Sequence, residues 1–398
     1  MKNSLHLYKT SLFIIILIND MKDYLLTCPR GLEEVTRKDI SKYINQKSNI
    51  VNGGVEFKGH KKDMYAVNLY SRTGMHLLEK LFHSKIYSSK KLYSNIYDLP
   101  WNKFIKPDMS FMIKTKIRST LFNKSNTVTL KIKDAIVDNI RKKFGKRPSI
   151  NKESPDLYLY VIIQENKITI YINTSGIPLF KRGYRAKIHR AGLNESLAAG
   201  LILSSNWNPS VPFYDIMCGS GTIPIEAAMI AHKIPPRLNR KYYAFKKLKN
   251  YDSTLLDSLI ENSKNKIIDN KKFSIFGSDH IKANISLAYE SSKLIGLKDS
   301  IQFSVKNIKD FIPSEKGTII INPPYGHRLG DPNAIKVLYK QLGDLFKTKC
   351  AGCNVFVFSG NLDAIKSIGL RSKSRTILKN GKIDSRLLHY PMIDGSYK

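Results

Sequence analysis

One short stretch, residues 318–329, constrains the fold of this chain more than any other. It begins with the run T-I-I-I, which is typical of a buried strand in a parallel sheet. Asn322 and two prolines follow, and because proline has no amide hydrogen for a sheet ladder, the strand must end there. Asn322, Pro323 and Tyr325 are therefore expected at the carboxyl end of a strand, where open α/β sheets bind ligands.

The same residues have a distinct chemical character. Asn322 offers a side-chain carbonyl oxygen, Pro323 offers a backbone carbonyl oxygen, and Tyr325 offers a flat aromatic ring. Two acceptors beside a stacking surface suit a planar amine such as the amino group of a nucleobase. The alternative is a loop that only ends the strand, since Asn-Pro is common in turns.

The net charge narrows the class of partner. The 398 residues carry 66 lysines and arginines against 32 acidic residues, a formal charge of +34, whereas the hydrophobic content of 42% is that of a globular protein. Such an excess favours a polyanion, with nucleic acid ahead of a membrane surface. A compositional bias toward lysine, asparagine and isoleucine would raise the charge without any binding role. The length predicts two or three domains.

The cysteines and the amino-terminal segment exclude several classes of protein. Cys350 and Cys353 form a C-x-x-C pair, but no second pair or nearby histidine completes a zinc site, so we predict no metal. So few cysteines are typical of the reducing cytoplasm. The apolar run at 12–18 is too short to span a membrane, and no small-residue cleavage site follows it. We expect residues 1–20 to be a disordered extension of a cytoplasmic protein with no membrane partner.

Residues 21–175 alternate between strand-like and helix-like patterns, as small α+β units do. Strands are predicted at 24–27, 55–57, 110–118, 157–164 and 167–173, and helical spacing covers 32–44, 63–82 and 127–144. The last helix carries Arg141, Lys142 and Lys143 on its polar face. A sheet backed by this helix could hold RNA by its phosphates, although an ordinary solvated helix face would look the same.

A basic segment at 176–190 is predicted to link the two halves of the chain. It contains Lys181, Arg182, Tyr184 and Arg185, in which basic and aromatic side chains are interleaved. Such side chains can stack on bases while they contact phosphates, which predicts RNA binding. A linker without a binding role is the alternative.

Residues 191–398 alternate strands with helices, which predicts a mostly parallel, doubly wound sheet. Strands are predicted at 213–216, 273–276, 301–305, 318–321, 354–358, 375–378 and 385–390. The last two would form a closing hairpin around Asn380–Gly381.

The glycine-rich turn at 219–222 follows the first of these strands and precedes a helix. Glycines let a backbone approach a ligand closely, and a helix N-terminus favours negative charge. The turn fits the dinucleotide fingerprint G-x-G-x-x-G poorly, because Pro224 occupies the place of the third glycine. This mismatch disfavours a nicotinamide-dependent oxidoreductase.

Three motifs together resemble the Rossmann-like class I methyltransferases that use S-adenosylmethionine: D-x-M-C-G-S-G-T at 215–222, G-S-D at 277–279 and N-P-P-Y at 322–325. T-C-P-R-G-L-E-E at 27–34 and L-N-E-S-L-A-A at 193–199 extend the resemblance to THUMP-domain RNA guanine-N2 methyltransferases, in particular the bacterial 23S ribosomal RNA enzymes. The resemblance implies a methyltransferase domain at 191–398, preceded by a ferredoxin-like segment and a THUMP module that bind RNA.

The resemblance also implies roles for single residues. Asp279 would bind the ribose of S-adenosylmethionine, and Asn307 would bind its adenine, where the family more often has aspartate. Asn322, Pro323 and Tyr325 would hold the target base, with Asn322 also bordering the cofactor. The methionine part of the cofactor would be held by Asn194, Glu195, Asp215, Cys218, Gly219, Ser220, Gly221 and Thr222.

We therefore predict methyl transfer to the exocyclic N2 of a guanine in 23S ribosomal RNA. A guanine in transfer RNA is an alternative target, and a non-catalytic RNA-binding ribosome assembly factor is an alternative function. N-P-P-Y also occurs in enzymes that methylate adenine in DNA or glutamine in proteins. The THUMP-like half favours RNA over both.

Overall fold

A computed structural model describes residues 21–185, 192–326 and 332–393. The extension predicted at 1–20, the end of the predicted linker at 186–190 and the end of the opening motif at 327–329 lie outside these ranges. The described residues form two β-sheets and ten α-helices. None of these helices combines the length and the apolar content that crossing a bilayer requires.

The first sheet is built from the amino-terminal half of the chain. Its strands are β1 (Lys22–Thr27), β2 (Ser48–Val51), β3 (Gly54–Gly59), β4 (His76–Lys85), β5 (Ser110–Arg118), β6 (Ser149–Ile150), β7 (Leu157–Gln164) and β8 (Lys167–Asn173). They are ordered β2-β3-β1-β4-β8-β7-β5-β6. The antiparallel ladder between β4 and β8 joins the first four strands to the last four, so that the two predicted α+β units share one continuous sheet.

Four helices accompany this sheet: α1 (Glu33–Ser41), α2 (Lys61–Tyr70), α3 (Ser89–Tyr97) and α4 (Ser125–Phe144), with a short 3-10 helix at Trp101–Lys103. The helix predicted at 63–82 is wrong beyond Tyr70, because β4 begins at His76. The carboxylate of Asp39 accepts hydrogen bonds from the backbone amides of Arg72 and Thr73, which turns the chain there. These hydrogen bonds join residues more than 30 positions apart in sequence, so local spacing could not reveal them.

The second sheet is built from the carboxyl-terminal half. Its strands are β9 (Phe213–Asp215), β10 (Ile275–Asp279), β11 (Gln302–Val305), β12 (Thr318–Ile321), β13 (Asn354–Ser359), β14 (Ser374–Asn380) and β15 (Ile383–Pro391). They are ordered β11-β10-β9-β12-β13-β15-β14. The first five are parallel, and β15 is antiparallel to both of its neighbours, which confirms the doubly wound sheet with a closing hairpin.

Helices cover both faces of the second sheet. The helices of this half are α5 (Glu195–Ser204), α6 (Thr222–Ala231), α7 (Ser253–Lys264), α8 (Lys282–Lys293), α9 (Pro332–Lys349) and α10 (Leu362–Lys366), with 3-10 helices at Ala244–Lys247 and Ile308–Asp310. Of these, α7 and the 3-10 helix at Ala244–Lys247 pack in the core of the first half instead. Ile320 of β12 packs in one hydrophobic core with α5 and α6, whereas Ile319 and Ile321 pack in another with α9. Because successive side chains of a strand point to opposite faces, β12 is buried on both sides.

The two halves share a buried interface. Tyr243, Phe245 and Leu256, which follow the linker in sequence, complete the hydrophobic core around β1 and α2. Leu32 lies in the core of the second half, against Gly200. A Cβ added at Gly200 would lie only 2.2 Å from a methyl carbon of Leu32. The guanidinium of Arg237 is fully buried between the halves and donates to the carbonyl oxygens of Asn68, Ser71 and Leu179. These contacts hold the halves in one fixed arrangement.

Candidate active site

The predicted ligand-binding residues meet at one edge of the second sheet. In the parallel ladders Asp215 lies level with Gly277, and Asp279, two residues further on, lies level with Val305. The carboxyl ends of four adjacent strands, β11, β10, β9 and β12, therefore lie side by side. At or just beyond these strand ends lie Asp215, Asp279, Asn307 and Asn322.

The glycine-rich turn between β9 and α6 is fixed to β10 by two hydrogen bonds. The backbone amide of Cys218 donates to the carbonyl oxygen of Ser278 at 2.9 Å, and that of Gly219 donates to Oδ2 of Asp279 at 3.0 Å. Gly221 has a φ of +80°, and a Cβ at this position would lie 2.8 Å from the Cβ of Ala288. Only glycine fits both constraints, so the turn is held as a compact loop ahead of Thr222, where α6 begins.

Asp279 is the centre of a hydrogen-bond cluster at this edge. Besides the amide of Gly219, its carboxylate accepts from the amide of Ile281 at 2.9 Å and from Nδ2 of Asn284 at 3.1 Å. A carboxylate has about four acceptor positions. A ligand hydroxyl would therefore use the remaining position or displace Asn284, a residue that the sequence analysis missed because it belongs to no motif.

Asp215 is a buried carboxyl group, with 1% of its surface exposed. Burial, together with the charge of Asp279, raises the pKa of Asp215 well above its usual range, although the amide of Met217 donates to Oδ1 at 3.2 Å. A cation bound beside Asp215 would stabilise its ionised form. The position is thus suited to a positively charged group of a ligand.

Three other predicted cofactor ligands have partners within the protein. Oδ1 of Asn194 accepts from the amide of Leu197 at 2.8 Å and so caps α5. Oε1 of Glu195 accepts from Nε of Arg185 at 2.8 Å. Oδ1 of Asn307 accepts from the amide of Lys309 at 3.1 Å. The roles of these side chains in cofactor binding stay predictions.

The residues after β12 form a polar lip. The hydroxyl of Tyr325 donates to Oδ1 of Asn322 at 2.8 Å, and the carbonyl oxygen of Tyr325 accepts from Nδ2 of Asn361 at 2.9 Å. The Tyr325 ring meets Phe358 edge-on, with centroids 6.5 Å apart. Asn322 and Tyr325 are half-buried, and Pro323 is buried. The lip therefore presents an amide oxygen beside an aromatic ring, and it adjoins the glycine turn through the neighbouring strands β9 and β12.

A second candidate surface lies on the first half of the chain. A cleft of about 720 Å³ runs beside α4, and Arg141 contributes to its wall. Lys142 and Lys143 are exposed on the same helix. The charged side chains that line the cleft are Lys131, Lys133, Asp134, Asp138, Arg141 and Arg147. Four cations against two carboxylates give the cleft a net positive charge.

Arg182 and Tyr184 do not lie on the surface, so the prediction that they contact RNA is wrong. The side chain of Arg182 is 1% exposed and pairs with Glu226 at 3.3 Å, while the Tyr184 hydroxyl donates to the same carboxylate at 3.1 Å. Glu226 lies in the apolar helix α6 and is itself fully buried. A buried carboxylate requires polar partners, so the single acid in I-E-A-A-M-I-A is the signal that could have predicted them.

The two remaining linker residues differ from each other. Lys181 is exposed, and its role as an RNA contact stays a prediction. Arg185 is half-buried, and besides its bond to Glu195 it donates to the carbonyl oxygen of Leu193. Its side chain is thus engaged within the protein.

The cysteines occupy hydrophobic surroundings. Cys28, Cys218, Cys350 and Cys353 are all buried free thiols. Burial raises the pKa of both Cys28 and Cys350 to about 12, which keeps these thiols protonated at neutral pH. Across 21–185, 192–326 and 332–393, no three side chains of histidine, cysteine, aspartate or glutamate are grouped so that they could hold a metal ion.

Comparison with protein families accounts for most of the described chain. Residues 182–389 match the model of the RMKL-like methyltransferase domain. The chain belongs to the RMKL-like methyltransferase family. Residues 87–173 match the THUMP domain, and residues 23–78 match the RlmL ferredoxin-like domain. These matches confirm the predicted fold class, an α/β methyltransferase sheet preceded by a ferredoxin-like and THUMP region.

Two relatives cover most of the chain. The first is a protein of Synechocystis sp. (strain ATCC 27184 / PCC 6803 / Kazusa) with the provisional name RNA methyltransferase slr0064. It is 31% identical to this chain over 372 residues, which cover 93% of this chain and 97% of that protein. This chain is 34% identical over 381 residues to the ribosomal RNA large subunit methyltransferase K/L of Psychromonas ingrahamii, across 93% of this chain. The chain spans 50% of the length of that second relative.

Among solved structures, SMU.472, provisionally described as a methyltransferase and crystallised with S-adenosylhomocysteine, is similar over its whole length. The TM-score is 0.85 at 26% identity, across 95% of this chain and 100% of that one. This RMKL-like methyltransferase therefore shares the fold of a protein that binds the product form of a methyl donor.

Proposed function

We propose that this protein transfers a methyl group from S-adenosylmethionine to the exocyclic N2 of a guanine in large-subunit ribosomal RNA. One observation carries the proposal: the lip formed by Asn322, Pro323 and Tyr325 adjoins the glycine turn and Asp279 at a single sheet edge. An amide oxygen and an aromatic ring beside a cofactor-type turn are suited to presenting an amino-bearing base for transfer.

The side chains at this edge fit the cofactor. Asp279 has a carboxylate at the end of the second strand, where it can accept from a ribose hydroxyl. Asp215 offers a buried carboxyl group to the cationic methionine end, and Gly219 and Gly221 allow close approach of the backbone. When bound, S-adenosylmethionine supplies a methyl group on a positively charged sulfur.

The lip would act on the acceptor. The lone pair of guanine N2 is delocalised into the ring, so the amino group is a poor nucleophile. Oδ1 of Asn322 and the carbonyl oxygen of Pro323 would accept its hydrogens and help to localise the lone pair as the carbon–nitrogen bond forms and the bond from the methyl carbon to sulfur breaks. The methylated nitrogen would then release one proton to solvent. The Tyr325 ring would stack on the base after it leaves the RNA stack. Positioning of the acceptor in line with the methyl group would supply much of the remaining acceleration.

The first half would hold the RNA. The cleft beside α4 has a positive balance, and Lys142, Lys143 and Lys181 are exposed, so that phosphates could be bound at several points. The THUMP match and the name of the Psychromonas relative support a ribosomal RNA of the large subunit. Contacts of this kind position an RNA mainly by its shape.

Mass-spectrometric mapping of ribosomal and transfer RNA from a strain that lacks the protein tests the proposal. Loss of one N2-methylguanine from large-subunit RNA is expected, and its restoration by the wild type but not by Asn322→Ala would link the mark to the lip. The purified Asn322→Ala protein should still bind S-adenosylmethionine. Loss of a transfer-RNA mark would reassign the substrate, and an unchanged set of marks would support a non-catalytic assembly factor.

A further inference from the structure

The acceptor atom of the lip takes part in a directed chain of hydrogen bonds. Nδ2 of Asn380, the last residue of β14, lies 3.5 Å from the Tyr325 hydroxyl, and that hydroxyl donates to Oδ1 of Asn322 at 2.8 Å. A hydroxyl can donate or accept, but an amide NH₂ group can only donate. When Asn380 donates to the oxygen of the Tyr325 hydroxyl, the hydroxyl proton is directed to Asn322. The Asn322 side chain is then favoured with its oxygen, and not its NH₂ group, facing that hydroxyl.

The direction of these hydrogen bonds matters because a carboxamide carries an acceptor oxygen on one side and a donor NH₂ group on the other. Rotation of the Asn322 amide by half a turn would exchange Oδ1 for Nδ2, a donor, and a donor cannot accept a hydrogen from an amino group. An oxygen has two lone pairs, so Oδ1 can accept from Tyr325 and from a second donor together. We propose that the Tyr325 hydroxyl, directed by Asn380, is a positioning group that holds the Asn322 carboxamide with its oxygen toward the target amino group.

The surroundings of Tyr325 keep the hydroxyl in this role. The ring packs edge-on against Phe358, and a Cβ at Gly360 would lie 3.0 Å from two of its carbons, so glycine leaves room for it. Asn361 binds the Tyr325 carbonyl oxygen. Burial raises the pKa of Tyr325 to about 12, so the hydroxyl keeps the proton that it donates at neutral pH. The ring is therefore held by Phe358 and the backbone at Gly360, and the Tyr325 backbone by Asn361, independently of any stacking on a base.

This inference rests on the proposed transfer to an amino group, and it assigns the closing hairpin a part in that reaction. Asn380 does not touch the base in this scheme, because it acts through Tyr325. Tyr325→Phe keeps the ring and removes only the hydroxyl, which separates positioning from stacking. Asn380→Ala removes the donor that directs the hydroxyl and leaves Tyr325 unchanged.

A double-mutant cycle on kcat and KM provides the test. Tyr325→Phe should lower kcat about tenfold, the value of one net hydrogen bond, with KM for RNA and the Kd for S-adenosylmethionine unchanged. Asn380→Ala should lower kcat in the wild type but have no further effect in Tyr325→Phe. Tyr70→Phe is the control, since it removes a hydroxyl that donates to the Leu259 carbonyl oxygen at 2.7 Å in the interface between the halves.

The outcomes separate this inference from the proposed function. Independent effects of the two substitutions, or an unchanged kcat in Tyr325→Phe, would overturn the positioning role. An increase in KM with constant kcat would do so too, because it would indicate binding rather than orientation. If the wild-type protein forms no N2-methylguanine, the proposed function itself fails, and product analysis of the same reactions reports that separately.

Discussion

The backbone amide of Lys379 donates a hydrogen bond to the carbonyl oxygen of Arg30 at 3.0 Å. This bond joins β14, at the edge of the second sheet, to the turn that follows β1. Gly31, which follows Arg30 in this turn, has a φ of +92°, and a Cβ added to it would lie 2.1 Å from the carbonyl oxygen of Ile377. The motif T-C-P-R-G therefore covers a strand edge that would otherwise expose unpaired backbone groups.

Gly31→Ala is expected to destabilise the protein more than its backbone strain explains. An alanine at positive φ costs about 1–2 kcal/mol by itself, and here its Cβ also collides with β14. Gly183→Ala is a matched control, because Gly183 has a φ of +93° but no atom within 4 Å of the added Cβ. Urea unfolding of both variants measures the difference. Equal losses of stability would contradict the proposed docking of the Arg30–Gly31 turn on β14.

Charge reversal on α4 is expected to weaken RNA binding. Replacement of Arg141, Lys142 and Lys143 by glutamate should lower the affinity about tenfold or more and make binding less dependent on salt, because fewer counterions are released. Reversal of the exposed lysines 264, 266 and 272 changes the net charge equally and is the control. Filter binding across a salt series gives both quantities. Equal losses in the two triple variants would indicate a general charge effect instead of a specific surface.

His76 is expected to make the protein less stable in weak acid. Burial, assisted by the charges of Lys114 and Arg240, lowers the pKa of His76 from 6.5 to about 4. The folded protein therefore keeps His76 neutral while the unfolded chain takes up a proton. This stabilisation is complete above pH 6.5 and is lost as the pH falls to about 4, a change of roughly 3 kcal/mol.

His76→Gln should remove that part of the pH dependence between pH 6.5 and 4. His83→Gln is the control, because His83 lies on the same strand but is exposed. Thermal unfolding of each variant over this range provides the measurement. A His76→Gln protein whose stability falls as steeply as that of the wild type would show that other groups are responsible.

The buried pair of Arg182 and Glu226 is expected to be essential for the docking of the two halves. Glu226→Gln leaves the guanidinium buried without its counter-charge, which should cost about 3–5 kcal/mol. Glu261→Gln is the control, since Glu261 pairs with Lys264 at 3.4 Å with both side chains exposed, and such a pair contributes at most about 1 kcal/mol. Differential scanning calorimetry compares them. Similar melting temperatures for the two variants would refute the assignment.

Local patterns predicted much of the fold and part of the site. The strands at 110–118, 157–164, 167–173 and 318–321 have the predicted boundaries because turn residues or prolines end them nearby. The meeting of Asp215, Asp279 and Asn322 at one edge followed from the rule that parallel strands end together. The closing hairpin around Asn380–Gly381 was likewise predicted from a local turn signal.

What the sequence analysis missed depends on contacts between distant residues. The consecutive leucines 77 and 78 fit a helix as well as a strand, until Asp39 turns the chain ahead of them. Arg182 resembles a surface cation until it is paired with Glu226, which follows 44 residues later. The support that Asn380 gives to Tyr325 spans 55 residues. None of these pairs leaves a periodic signal.

The ladder between β4 and β8 limits how this protein can be divided for study. A fragment that covers only the THUMP match, residues 87–173, would lack β4 at 76–85 and so expose the free side of β8. An uncovered strand of this kind readily pairs with another copy. A recombinant THUMP module would therefore stay monomeric only if it also included the chain from residue 22 onward.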